Sequence, residues 1–136
     1  MPAGGDPRTE SRERALTLLY ESEARGVSVD AVLAGRPLAG DELAMRLARG
    51  VEAHRDEIDA AISEHSHAWT LPRMPAIDRN VLRLGVHELL HRPDVPTGAV
   101  IDEAVGLAKR FSTDDSGRFV NGVLSAVART HRTKGG

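Results

Sequence analysis

The stretch that decides the fold runs from Asp94 to Ser125 and reads DVPTGAVIDEAVGLAKRFSTDDSGRFVNGVLS. Pro96 disfavours helix at the residue before it and Thr97 is a capping residue, so a helix is predicted to begin near Thr97. Its apolar side chains recur at helical spacing and form one stripe, made of Val100, Ala104, Leu107, Ala108 and Phe111. Residues 112–116 favour caps and turns, and a second amphipathic helix follows them. The two helices are predicted to pack as an antiparallel pair.

Helical periodicity explains the apolar residues of this hairpin but not the particular segment FVNGVL, from Phe119 to Leu124. This segment, with Asp115-Ser116 and the run from Ile101 to Val105, resembles the C-terminal signature of the NusB family of bacterial transcription antitermination factors. Further matches follow in family order and spacing, namely Arg12, Ala15, Leu19-Tyr20, Asp78-Arg79, Val81 to Leu84, Glu88-Leu89 and Val95-Pro96. The resemblance covers about Arg8 to Val127. It implies an all-α, NusB-like fold of about seven helices.

The same resemblance implies one RNA-binding domain over residues 1–136, built from two small helical bundles. Pro72 and Pro75 bracket a linker, so the N-terminal sub-bundle is predicted over about 8–70 and the C-terminal one over about 75–130. Apolar residues cover most of the circumference of the helix after Pro75, which predicts a central position between the bundles. Its polar residues are expected on a remaining exposed strip, and they are Asp78, Arg79, Arg83, His87 and Glu88.

Several breaks and ends are also predicted. Gly50 is expected to interrupt the helix that starts near Asp41, and Gly35, Pro37 and Gly40 break the chain before it. The lead, residues 1–7, is expected to be flexible, and the tail after Arg129 is expected to be disordered because it has no apolar pattern.

The composition favours one compact intracellular domain. The chain has 136 residues and contains no cysteine, as is common for proteins of a reducing cytoplasm. No apolar run approaches the roughly 20 residues that span a bilayer, and the polar start is unlike a signal peptide. Because the formal net charge is −2, any binding of nucleic acid has to come from a local patch. We therefore expect a soluble, cytoplasmic protein with no membrane partner.

The first helix is predicted to supply that patch. Arg8 and Arg12 project in the same direction as the core residue Leu19, which suggests that the helix extends beyond its own core. A frayed, solvated helix end is the alternative explanation. In the NusB family the corresponding arginine-rich stretch contacts single-stranded boxA-type RNA, which implies phosphate contacts for Arg8, Arg12 and Arg14. The resemblance also assigns Tyr20 to the RNA surface.

Two glutamates depart from the family pattern. Glu10 and Glu13 are interleaved with the arginines, and Glu10 can pair with Arg14 four residues later. Such a pair lowers the positive potential that a phosphate meets. We therefore consider both weak RNA binding and its loss.

The resemblance assigns two more groups of residues. Asp115, Arg118 and Phe119 open the last helix, where unsatisfied backbone N–H groups favour phosphate, and family members use this turn near RNA. Core packing is the alternative for Phe119. Glu88 and Arg83 of the central helix are assigned to the surface that docks the ribosomal protein NusE. An ion pair between Glu88 and a neighbouring arginine is equally compatible with the sequence.

A short motif points to another chemistry. Residues 87–91 read HELLH and match H-E-x-x-H, which on a helix can bind zinc through two histidines with the glutamate as general base. A catalytic site needs a third ligand, and the extended motif would place glycine and histidine where this chain has Asp94 and Thr97. Pro93 also ends the helix. We therefore assign no catalytic residue, metal ligand or cofactor and predict that the protein is not an enzyme.

The implied function is transcription antitermination: binding of boxA-type RNA together with NusE during ribosomal RNA synthesis, with other Nus factors and RNA polymerase in the same complex. A first alternative is a paralogue that docks protein partners, or a second copy of itself as a homodimer, without binding RNA. A second is kinship to the RNA-binding domain of ribosomal RNA cytosine methyltransferases, which has a similar fold. Chain length argues against the second, because no catalytic domain fits into 136 residues.

Overall fold

The structure, a computed structural model, describes residues 7–35 and 41–132, and these residues form seven α-helices. The helices are α1 Pro7–Arg25, α2 Val29–Gly35, α3 Glu42–Ala53, α4 Arg55–His65, α5 Ala76–His91, α6 Thr97–Phe111 and α7 Asp114–His131. A short 3₁₀ turn, Leu71–Arg73, lies in the predicted linker. The expected all-α fold with about seven helices is therefore confirmed. None of the helices in these residues has the length and apolar character of a membrane span.

Helix α5 is the centre of the molecule, as predicted. It packs against five helices, α1, α3, α4, α6 and α7. The exposed polar strip predicted for it is wrong, however. Of its polar side chains, Asp78, Arg83, His87 and Glu88 are buried and Arg79 is half-buried. The neighbouring helices surround α5, so these groups lie inside the protein, and buried charges are stable there mainly when they are paired.

The hairpin of α6 and α7 forms where the capping residues predict it. Helix α6 begins at Thr97, and Thr113 caps α7 by accepting a hydrogen bond from the backbone N–H of Ser116 at 3.0 Å. The stripe of α6 is buried from Val100 to Ala108, but its last predicted member, Phe111, is 49% exposed. The core ends before that last turn of the helix.

Gly50 does not break a helix, contrary to the prediction. Helix α3 continues through it to Ala53, and the corner before α4 lies at His54. A Cβ atom at Gly50 would lie 2.4 Å from Cε1 of His87, a distance at which something has to shift. The glycine is therefore explained by the close packing of α3 on the His87 ring, not by a chain break.

The predicted disorder of the tail is wrong for residues 130–132. Helix α7 continues to His131, and the Arg132 guanidinium donates hydrogen bonds to four backbone carbonyl oxygens and one hydroxyl. The lead at residues 1–6, the breaks predicted at Pro37 and Gly40, and the tail at 133–136 lie outside the described residues, while Pro7 already belongs to α1. The division into two sub-bundles stays a prediction.

Candidate nucleic-acid and protein interface

An ion pair fastens the N-terminal half of α1 to the central helix. The Arg12 guanidinium donates two hydrogen bonds of 2.8 Å, one to each carboxylate oxygen of Glu88. Arg12 is 5% exposed and Glu88 is 1% exposed. The outward orientation predicted for Arg12 is therefore wrong, because α5 and α6 cover this part of α1. The alternative interpretation of Glu88, a pair with a nearby arginine, is confirmed.

Helix α6 adds a second acid to this cluster. A carboxylate oxygen of Glu103 lies 3.5 Å from Nη1 of Arg12, and the other accepts a hydrogen bond from the Thr9 hydroxyl at 3.0 Å. Three helices thus meet at one buried guanidinium. The start of α1 is not a frayed end but is held in a fixed position against α5 and α6.

Two other arginines of α1 do present charge. Arg8 is exposed, and the side chain of Arg14 is 48% exposed. Arg14 lies 3.6 Å from Glu10, so the predicted ion pair is confirmed, and it also donates a hydrogen bond of 2.5 Å to Asp41. This hydrogen bond, together with the negative charges of Asp41, Glu10 and Glu13, raises the pKa of Arg14. Its positive charge is permanent but partly neutralised.

The end of α6 lies beside the start of α1, and together they form one charged edge of the protein. Arg110 donates a hydrogen bond to Glu13 of α1, and its guanidinium lies 5.5 Å from the centre of the exposed Phe111 ring. Arg110 is not among the residues predicted from the sequence. The signal was available, because Lys109 and Arg110 end a helix directly before the turn to which the resemblance assigns RNA contacts.

The start of α7 lies directly after this end. Asp115 and Arg118 are strongly exposed, with side-chain accessibilities of 86% and 74%, and they pair with each other. The phosphate site predicted at this helix start is disfavoured, because Thr113 already caps it and two acids, Asp114 and Asp115, occupy its first turn.

The aromatic candidates differ in position. Phe119 is half-buried and packs edge-to-face on Trp69 with ring centres 5.1 Å apart, so core packing explains most of its ring. Tyr20, farther along α1, is 43% exposed. Phe111, Tyr20 and Trp69, which are 49%, 43% and 40% exposed, are thus the aromatic rings most available to a base or a protein partner among the described residues.

Arg83 is buried and paired within the protein. Its guanidinium is bidentate on Asp59, at 2.9 and 3.0 Å, and donates a third hydrogen bond of 3.0 Å to Glu23. Burial lowers the pKa of Arg83, but the hydrogen bond and charge of Asp59, followed by those of Glu23, outweigh it and raise the pKa. Glu23 also accepts from Arg79 and Asn80. The cluster joins α1, α4 and α5 and is structural.

The H-E-x-x-H motif does not form a hydrolytic site. A metalloprotease needs the motif's glutamate as a free general base, whereas Glu88 is buried and bound at both oxygens by Arg12. His87 is 6% exposed, and burial, followed by the charges of His91 and His54, lowers its pKa to about 4. The two histidines also have different surroundings, because His91 lies at the surface end of α5.

These features define the class: a seven-helix protein with a central helix buried on all sides and a charged edge at the start of α1. The model of the NusB family matches residues 9–129. A transcription antitermination protein NusB from Saccharopolyspora erythraea is 50% identical over 127 residues, which cover 89% of this chain and 86% of the relative. One from Clavibacter michiganensis is 46% identical over 132 residues, covering 90% and 96%.

Solved structures agree with the sequence comparison. T. maritima NusB superposes with a TM-score of 0.83 at 36% identity and with 93% of each chain covered. A structure of the antitermination factors NusB and NusE in complex with dsRNA gives a TM-score of 0.79 at 32% identity, covering 90% of this chain and 96% of the other. This chain belongs to the NusB family. Members of the family are non-enzymatic antitermination factors.

Proposed function

We propose that this protein is a transcription antitermination factor that binds boxA-type single-stranded RNA together with the ribosomal protein NusE during ribosomal RNA transcription. Family membership supports the proposal, as does the related structure that contains NusE and RNA. The observation that carries it is the Glu13–Arg110 ion pair, which brings the start of α1 beside the end of α6, and α7 begins three residues after that end. One continuous edge of the protein thus offers arginines from three helices.

Within this edge the residues divide into contacts and supports. Four arginines are exposed and can contact phosphates: Arg8, Arg14, Arg110 and Arg118. When RNA binds, a phosphate replaces the acid paired with the guanidinium and counterions are released from the RNA. Asp115 offers acceptors to base or ribose donors rather than to phosphate. Arg12 supports the edge from inside by fixing α1 on Glu88.

For NusE, Glu88 and Arg83 contribute indirectly. Both are buried and paired, and each holds α1 or α4 against α5, so the flank made of these helices is presented as a rigid surface. Tyr20, an exposed aromatic side chain of α1, is instead proposed to stack on a base of the RNA. Other Nus factors and RNA polymerase would join through the RNA and NusE.

Titration of a boxA-type single strand across a range of salt concentrations, with and without NusE, tests the proposal. We expect Arg14→Ala and Arg118→Ala each to weaken binding and to reduce the slope of log K against log salt by about 0.7, the value for one phosphate contact on a single strand. Arg25→Ala is the matched control, because Arg25 pairs with Glu21 at the opposite end of α1. It should leave both quantities unchanged.

A second function is favoured by one observation: Glu10, Glu13 and Asp41 already neutralise the cations of this edge. A paralogue that docks proteins, or a second copy of itself, without RNA would show no RNA binding even with NusE present. Sedimentation of the protein alone and with NusE then distinguishes a homodimer from a docked partner. The near full-length match to NusB proteins argues against a methyltransferase domain.

A further inference from the structure

We propose that His54, Glu57 and His91 form a binding site for a divalent transition metal, zinc being the best fit, on the face of the protein where α3, α4 and α5 meet. Nothing in the sequence pairs these residues. His54 lies at the corner between α3 and α4, Glu57 in the first turn of α4, and His91 is the last residue of α5. The site is independent of the proposed RNA-binding edge.

The three donors already converge. Nε2 of His91 lies 2.8 Å from Oε1 of Glu57, and Nδ1 of His54 lies 3.9 Å from the same oxygen. The ligand atoms of all three residues lie within 4.8 Å of one another. Ligands at the usual zinc distances are separated by about 3.3 Å in a tetrahedral site. Closing the site therefore shortens the distances between ligand atoms by up to about 1.5 Å, which side-chain rotation supplies.

The surroundings allow that rotation. The side chains of His54 and Glu57 are 43% and 56% exposed, and that of His91 is 28% exposed. The rings of His54 and His91 are stacked, with centroids 3.9 Å apart and an angle of 17° between their planes. Turning the exposed His54 ring about its side-chain bonds aims its nitrogen at the point that Glu57 and His91 already share. Solvent fills the fourth position of the metal.

The donor set selects the metal. Two neutral imidazoles and one carboxylate are the ligands of many zinc sites, and they also suit cobalt, nickel and copper. Magnesium and calcium prefer oxygen ligands throughout and are disfavoured here. Since three exposed ligands without a rigid outer shell bind less tightly than a buried four-ligand site, we expect a dissociation constant in the micromolar range.

This site differs from the one that the H-E-x-x-H motif suggests. The motif pairs His91 with His87, whereas the structure pairs it with two residues of the α3–α4 corner. His87 lies behind them, with its ring centre 6.0 Å from that of His54 and its buried Nδ1 without a hydrogen-bond partner among the described residues. Bound metal would thus join the α3–α4 corner to the end of α5, instead of forming a hydrolytic centre.

The test uses the untagged chain of 136 residues and zinc chloride, with equilibrium dialysis and metal analysis as the readout. We expect saturable uptake of one zinc ion per chain and a rise in Tm with zinc concentration, since the ion binds the folded state. Cobalt chloride should give the visible absorption bands of a site with nitrogen ligands and fewer than six donors. Magnesium chloride should change neither readout.

Variants localise the site. His54→Gln and His91→Gln should each weaken zinc binding about tenfold or more, as Glu57→Gln should, while His67→Gln, an exposed histidine outside the cluster, should not. Circular dichroism checks that each variant is folded. If His91→Gln does not fold, His54→Gln still tests the site. The proposal is overturned if uptake is not saturable, or if His54→Gln and Glu57→Gln bind zinc as the unmodified chain does.

Discussion

Arg12 is the residue on which the position of the first helix depends. A guanidinium that is 5% exposed has lost most of its hydration, and only hydrogen bonds to an ionised acid can compensate for that loss. Glu88 provides two such bonds, and Glu103 adds a second negative charge at 3.5 Å. The same pair explains why neither residue is available as a surface contact.

We predict that Arg12→Ala destabilises the protein by about 3 kcal/mol, because it leaves the Glu88 carboxylate buried without its partner. Urea unfolding at neutral pH measures the change. Arg25→Ala, which removes an exposed pair with Glu21, should cost less than about 1 kcal/mol.

The double variant Arg12→Met with Glu88→Leu tests whether the unpaired Glu88 carboxylate causes this destabilisation. If an unpaired buried charge causes the loss, removing both charges should restore most of the stability. A loss from Arg12→Ala no larger than that from Arg25→Ala would show that Glu88 is readily hydrated and that α1 is not held there.

Among the elements, the ends of α5 and α7 are tied together by one side chain. The Arg132 guanidinium, just after α7, donates to the carbonyl oxygens of Glu88, Leu89 and Arg92 at the end of α5, at 2.7 to 3.2 Å. It also reaches the carbonyl of Val95 at 2.7 Å and the hydroxyl of Thr97 at 3.1 Å. The carbonyls of Glu88 and Arg92 also accept backbone N–H groups, from Arg92 and Val95, so the arginine adds further donors at the C-terminal end of α5 and extends its cap from another element.

We predict that Arg132→Lys destabilises the protein by about 2 kcal/mol although the charge is kept, because a lysine cannot reach five acceptors in this geometry. Thermal unfolding followed by circular dichroism measures the effect. Arg129→Lys, an exposed change on the same helix, is the control and should be neutral. Equal melting temperatures for the two variants would contradict this role of Arg132.

For the whole molecule, the Glu23 cluster joins the N-terminal helices to α5. Burial raises the pKa of Glu23, but hydrogen bonds from Arg79 and Arg83 outweigh that effect and lower the pKa from 4.5 to about 2. Because the pKa is lower in the folded state, ionised Glu23 stabilises the fold above pH 4.5, and this contribution is lost as the pH falls toward 2.

We therefore predict that Glu23→Gln costs about 1–2 kcal/mol at pH 7, a value reduced for the partial exposure of this carboxylate. The difference from the unmodified chain should shrink as the pH is lowered from about 5 to about 2. Urea unfolding at several pH values measures it. Glu64→Gln, a change at an exposed acid on α4, is the control and should give only a small difference at pH 7. A pH-independent cost for Glu23→Gln would contradict the shifted pKa.

The sequence alone determined the helices and their order. Capping residues, prolines and a 3.6-residue apolar period act within a few residues of each other, so the start of α6 at Thr97, the end of α5 before Pro93 and the central position of α5 could all be predicted. The segment from Phe119 to Leu124 and its companions pointed to the NusB family, which the comparisons show.

Only the tertiary structure decided where the charged side chains went. Arg12 and Glu88 are separated by 76 residues, and His54 and His91 by 37, so no local pattern pairs them. On an isolated helix a charged side chain faces solvent. When five helices pack around α5, such a side chain is buried and needs a partner of opposite charge, because burying an unpaired charge costs too much free energy. Which residues are contacts and which are supports is therefore fixed by the packing of helices, not by their sequences one at a time.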